Sequence, residues 1–348
     1  MSLSRSVLRR VLLSCDVPLK LVSNVLQFLS DGLEVVGRTR LGREILLARL
    51  GSGREKVVYV GGIFGDALSV ATLLYAVYLL RYPVYSRYPL FVGNLLGCGE
   101  IAVIPVANPE GYVVSERQYC SRNAAGVDLV HDFLFLTQLE TQVIHRVVND
   151  LRPLALVFLI PSHVDAVRVT ARCVVGCRDW VVEFLNDVMS FLGNVCDVLE
   201  LPIELRKEVN LVKVPSDYLT HFTLEDVPTI AVELPIGSDD RGGVIEVASH
   251  VSLLLLRGLE RSSTCRHEVP SRVVKLDFSC EEDVRRCTWF LRLHGIPFEC
   301  NGCNVVVHVV HPFAEVLVNE DHVLNTELSK RGLPKLLLTE LLPYLTAT

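Results

Sequence analysis

The sequence is short of the features that mark several large functional classes. It has no basic stripe: 34 Lys and Arg stand against 40 Asp and Glu, a net charge of -6, so phosphate neutralisation along a nucleic acid is not expected. It has no apolar run near the ~20 residues that a membrane-spanning helix needs, and the stretch at 251–256 falls well short. After Arg9 and Arg10 only Val11, Leu12 and Leu13 precede polar residues, far fewer than the ~7 to 15 of a secretory core. Leu12-Leu13-Ser14-Cys15 mimics a lipidation box without that core, and a cytoplasmic protein is expected. A G-x-S-x-G elbow, a phosphate-binding Walker loop and a dinucleotide fingerprint are all missing. Ser162, His163 and Asp165 carry triad letters, but neighbouring residues on one strand point to opposite faces and cannot meet.

Cysteine is not scarce. Eleven is an odd number, and without an export signal most are expected as reduced, buried thiols. Cys300-Asn301-Gly302-Cys303 differs, because Asn-Gly is a strong hairpin-turn signal that sets the two sulfurs face to face. Two packed thiols are expected there, with a labile disulfide or a structural zinc as alternatives. Cys280 and Cys287 are too widely spaced to complete a zinc knuckle.

At 348 residues and 50% hydrophobic content, the chain can bury one large core and a smaller appendage. Short apolar runs at 56–60, 101–106, 156–160 and 229–234 read as strands buried on both faces. Helical periodicity covers 68–80, 139–151, 180–192 and 244–259, and Thr137-Gln138-Leu139-Glu140 fits a capping box. Residues 34–50 read as a hairpin turning at Leu41-Gly42-Arg43. The alternation predicts an α/β domain with a mixed, largely parallel sheet flanked by helices. Three segments are expected: a helical one at 1–32, the α/β domain at 33–262 and a small α+β domain at 265–348. Within the last, strands at 273–278, 296–299 and 304–310 and a helix at 281–294 give a β-α-β-β order.

Four motifs point to one family. Residues 57–67 read V-V-Y-V-G-G-I-F-G-D-A; residues 101–112 read I-A-V-I-P-V-A-N-P-E-G-Y, followed by S-R-N-A-A-G-V-D at 121–128. Gln138-Leu139-Glu140-Thr141 opens a helix, and Ser216-Asp217-Tyr218 precedes P-T-I-A-V-E-L-P at 228–235. Over about residues 33–260 this pattern resembles the M14-type, carboxypeptidase A-like zinc peptidases. The resemblance implies their three-layer fold, with zinc held by a His, a Glu three residues later and a second His at a strand end. Phe64, Ala67 and Ile160 stand at those positions, or Pro161 for the last with a one-residue shift. Phenyl, methyl and butyl groups offer zinc no lone pair.

The same resemblance places Asp66 and Asp128 as carboxylates that support the ligands without binding metal. A displaced site from Asp66, His131 and His163 is the alternative the letters allow. Family arginines that fork onto a substrate's terminal carboxylate are replaced: Ser121 and His131 stand for two of them and Val130 for an Asn, with Arg122 and Arg117 close by. Glu233 matches the general base, with Arg241 as a candidate partner. Tyr218 matches a mobile aromatic that caps the ligand, or is a packed loop tyrosine. The leading expectation is a pseudoenzyme without cofactor, binding a carboxylate-bearing peptide or small molecule in the former cleft. A zinc-dependent carboxypeptidase or amide deacylase with relocated ligands is the alternative, as is an assembly subunit acting through residues 265–348. No nucleic-acid or membrane partner is expected, and a homo-oligomer is left open.

Overall fold

The computed structural model describes residues 5–53, 55–86, 99–114, 121–174, 177–199, 202–212 and 218–256. Toward the C-terminus it describes residues 272–277, 281, 284, 285, 288, 298–302 and 304–309. The chain forms two compact units, Met1–Tyr78 with Gly99–Ser262, and Leu79–Cys98 with Ser263–Thr348.

The first unit is built on eight strands: β1 (Gly32–Arg38), β2 (Glu44–Leu50), β3 (Glu55–Val60), β4 (Gly99–Ile104), β5 (Ala155–Ser162), β6 (Val167–Val174), β7 (Ile203–Val212) and β8 (Thr229–Pro235). Their order in the sheet is β1-β2-β4-β3-β5-β8-β6-β7. The central strands β4, β3, β5 and β8 run parallel, while β2 and β6 meet them antiparallel. This is the mixed, largely parallel sheet that the apolar runs predict.

Helices α1 (Arg5–Leu13), α2 (Leu19–Leu29), α3 (Ala67–Arg81), α4 (Pro109–Val114), α5 (Leu129–Asp132), α6 (Leu139–Leu151), α7 (Asp179–Leu199), α8 (Tyr218–Leu224) and α9 (Arg241–Leu254) surround it. Alternation along the strands sorts the two faces. Val58, Val60, Ala102, Ile104, Leu156, Phe158 and Ala231 join one cluster with Val143, Ile144 and Val147 of α6 and Leu219 and Phe222 of α8. On the other face Tyr59 donates to the carbonyl of Ser252 on α9 at 2.6 Å, and Ser249 of α9 donates to Thr72 O of α3 at 2.8 Å. Helix α3 is apolar all round because it is buried all round. The N-terminal helices are tied to the same unit: Arg9 donates to the Tyr75 hydroxyl at 3.1 Å and Tyr112 to the carbonyl of Val17.

Some local expectations are corrected. The capping box at Thr137 does not form: the helix starts one residue later, with Gln138 as its cap residue, and the Thr137 hydroxyl is drawn to Asp132. That buried carboxylate also takes Gln138 N–H at 2.9 Å and the Thr141 hydroxyl, outcompeting a local cap. Strands β6 and β7 carry no continuous apolar run. In β6 the arginines 168 and 172 alternate with buried Val167, Val169, Ala171 and Cys173. At the sheet edge β7 exposes Glu204, Arg206 and Lys207, as edge strands do.

In the second unit β9 (Arg272–Asp277), β10 (Phe298–Asn301) and β11 (Asn304–Val309) form an antiparallel sheet in the order β10-β11-β9. The expected hairpin is present, with Asn301 opposite Asn304 and Gly302 at φ +62. Cys300 is an exposed free thiol; Cys303, Cys280 and Cys287 lie outside the described residues.

Candidate functional site

The parallel strands β3, β4, β5 and β8 end together, and two loops meet at that edge. In the first, Gly61 and Gly62 follow β3; in the second, Pro105 and Asn108 follow β4. Ala107 N donates to Gly61 O at 2.9 Å and Asn108 N to Gly62 O at 3.1 Å. Gly65, at φ +61, approaches so closely that a Cβ there would lie 2.3 Å from the carbonyl carbon of Gly111. The glycines of both motifs therefore lock two loop backbones together.

The polar letters do similar work. Asn108 Oδ1 accepts from Gly111 N at 3.0 Å, and its amide donates to Arg122 O at 3.1 Å. Asn123 Oδ1 accepts from Ala125 and Val127 N–H, while its amide donates to Gln138 and Glu140. Glu110 is buried and takes the Thr39 hydroxyl, with Arg43 Nε at 3.8 Å, so it ties this loop to the opening hairpin. Ser121 donates to Asp128 Oδ1 at 2.7 Å, and the same oxygen accepts Val130 N–H at 3.0 Å, capping α5.

Asp66 is buried. Its carboxylate accepts Ser69 N–H at 2.6 Å and the Ser69 hydroxyl at 2.7 Å, and Ser69 Oγ accepts Gly62 N–H at 2.9 Å. The loop is thus stitched to the first turn of α3. Burial pushes the Asp66 carboxyl up to about 6 even though these hydrogen bonds favour its charged form.

A cross-strand row carries Glu233. Residue pairing puts Ile160 of β5 and Arg168 of β6 on either side of it. Two residues along each neighbour, Ser162 donates to Glu233 Oε2 at 3.0 Å and Thr170 donates to Oε1. Arg168 Nη1 stands 3.8 Å from Oε2. The partners of Glu233 are therefore two hydroxyls and Arg168 rather than Arg241. The row was invisible in sequence because β6 was not recognisable, although its alternating Val and Arg residues were the available signal.

The positions that the resemblance assigns to metal and carboxylate binding are filled differently. Phe64, Val130 and Ile160 are partly buried and pack against the apolar cluster described above; Ala67 begins α3. A donor set of phenyl, methyl and butyl groups does not fit zinc, which takes N, O or S ligands. Nor are Asp66, His131 and His163 brought together. Among the described residues the ligand-spaced group of three is His145, His221 and Glu225. His131 and His163 are both exposed. Arg122 is exposed and donates back to Gly126 O of its own loop at 2.7 Å; Arg117 lies outside the described residues.

Of the two readings of Tyr218, a mobile cap or a packed tyrosine, the structure shows the packed one. It is 4% exposed, and its ring meets Phe158 edge-on at 4.4 Å and Phe133 at 6.2 Å. Phe222 and His221 continue this aromatic layer. Burial lowers the His221 pKa below the ordinary value, partly offset by Glu225 and reinforced by His145.

A mixed, largely parallel sheet between helix layers, with two interlocked loops at its C-terminal edge, defines an α/β fold of the zinc carboxypeptidase type. Residues 31–149 match the family model for peptidase M14, zinc carboxypeptidase. The fold is similar to a metallo-carboxypeptidase from Burkholderia cenocepacia (TM-score 0.54, 14% identity, 68% of each chain covered). It is likewise similar to carboxypeptidase A from Helicoverpa armigera (TM-score 0.54, 13% identity, covering 70% of this chain and 72% of that one). The chain thus has the fold of the zinc carboxypeptidases, and its residues 31–149 carry the M14 family pattern. No curated protein sequence matches it.

Proposed function

We propose that this protein is a non-catalytic member of the carboxypeptidase-like fold, acting in the cytoplasm by binding a ligand in the former cleft. One observation carries this reading. The residues at three of the positions that would hold zinc or substrate, Phe64, Val130 and Ile160, are apolar and pack into the same core cluster. Such side chains offer a metal no lone pair in any rotamer, and here they contribute to the packing of the core instead. Glu233, the base position, is held by Ser162, Thr170 and Arg168. Without a metal to acidify a water, a carboxylate so placed has no activated nucleophile to make.

The ligand class proposed is a peptide or small molecule with a carboxylate, met by the exposed guanidinium of Arg122. Two measurements test this. Peptides with a free C-terminus, incubated with the protein and added zinc, should release no C-terminal residue. The same peptides should raise the melting temperature more than their amidated twins, since a ligand at 100 times its Kd adds about 2.7 kcal/mol. Zinc-dependent release that disappears in Glu233→Gln would overturn the reading in favour of a hydrolase with relocated ligands. Equal melting shifts for both peptides would remove the carboxylate.

A further inference from the structure

A second cluster lies in the helical layer, on residues that the M14-like motifs do not include. His145 stands on α6, with His221 on α8 and Glu225 in the turn that ends it. His145 Nε2 lies 3.0 Å from Glu225 Oε1. His221 Nε2 lies 3.5 Å from the same oxygen, and all three ligand atoms fall within 4.8 Å of one another. With metal–nitrogen and metal–oxygen bonds of ~2.0 to 2.2 Å, ligands on a tetrahedral zinc are separated by about 3.3 Å. The three groups are therefore spaced to close on one ion by small side-chain movements.

The surroundings suit a metal as well. His221 Nε2 is a buried nitrogen with no hydrogen-bond partner among the described residues, and it stands 3.5 Å from the Glu225 carboxylate, a separation that an ion between them would close. The His221 ring packs on Phe222 at 5.0 Å and on Phe133 at 6.3 Å, and His145 on Phe222 at 6.2 Å, which fixes both imidazoles. Glu225 is set by the turn: its own N–H and that of Val227 both donate to Phe222 O at 3.0 Å, with Asp226 at φ +63 between them. Beside His145, Asn149 Nδ2 lies 3.2 Å from Nδ1 and 3.4 Å from Nε2, so the amide stands against both ring nitrogens and must move aside from Nε2 for a metal to bind there.

We propose that His145, His221 and Glu225 form a zinc-binding site that joins α6 to the end of α8, with water completing the coordination. Two imidazoles and a carboxylate are a borderline donor set that suits zinc and excludes calcium and magnesium, which take oxygen ligands.

The test is a zinc titration of the full chain, first stripped with a chelator, in competition with a chromophoric indicator. Cobalt serves as a visible-absorbing substitute. One equivalent should bind. His145→Ala and Glu225→Gln should each weaken binding by at least about 10-fold, and both residues are accessible enough that the fold is expected to survive, checked by circular dichroism. Binding unchanged in Glu225→Gln and His145→Ala, or no uptake at one equivalent, overturns the site. Zinc lost in His163→Ala but kept in Glu225→Gln would place the metal in the cleft, overturning both this site and the non-catalytic reading. Turnover with zinc still bound through His145 would overturn the latter alone.

Discussion

Replacing Asp66 by Asn should reverse the relative stability of the two proteins across a narrow pH range. Asp66 titrates at about 6 in the folded state and at about 3.9 in an unfolded chain. Because the folded-state value is the higher one, its contribution is fully present below about 4 and is lost as pH rises through about 6. Two units at 1.36 kcal/mol each make that loss about 3 kcal/mol. Asn lacks the charge and so lacks the loss. Its amide oxygen can still accept Ser69 N–H, but its NH₂ must donate to Ser69 Oγ, which already accepts Gly62 N–H. The serine proton is then left without its acceptor, at a pH-independent cost of about 1 kcal/mol. Asp66→Asn should therefore be less stable than wild type by about 1 kcal/mol at pH 4 and more stable by about 2 kcal/mol at pH 7.5, by the two terms above. Paired urea unfolding at several pH values measures this, and the difference between the proteins cancels other titrating groups such as Glu140, whose carboxyl is also pushed up by burial. An offset that stays constant with pH, or a wild type that gains relative to the variant as pH rises, would refute the assignment of Asp66 as a buried helix-capping carboxylate.

Gly65→Ala should destabilise the first unit by roughly 2 to 4 kcal/mol. A left-handed φ costs about 1 kcal/mol or more, and a Cβ 2.3 Å from the carbonyl carbon of Gly111 forces the two loops apart; a loss under 0.5 kcal/mol in thermal unfolding would disprove the interlock. Tyr218→Ala should cost about 3 kcal/mol, the range for a fully packed aromatic, whereas a mobile residue over a cleft would lose within about 0.5 kcal/mol. Urea midpoints of the two proteins separate those outcomes.

Much of the fold was legible because it rests on short-range rules. Apolar runs buried on both faces marked β3, β4, β5 and β8, and the observed bounds differ from the expected ones by one or two residues. The Asn-Gly turn placed the second-unit hairpin. Strands β6 and β7 were missed because a strand beside the sheet edge buries one face only, and its arginines and glutamates dilute the apolar signal. Helix α8 was missed because its seven residues are too few to show a period.

The candidate site divides the same way. From Phe64, Ala67 and Ile160 alone it follows that the residues which the resemblance sets at the metal positions offer zinc no lone pair, since lone pairs are a property of the residue and not of its setting. The loop glycines were visible as part of the motif, but the backbone approach of Gly65 to Gly111 that requires one of them was decided by tertiary structure. What held Glu233, whether Tyr218 lay over the cleft or within the core, and which histidines meet were decided by tertiary structure. Thr170 and Arg168 reach Glu233 across a strand pair, and His145 and His221 meet from helices 76 residues apart in the chain. Such contacts depend on strand order and helix packing, which local periodicity does not encode.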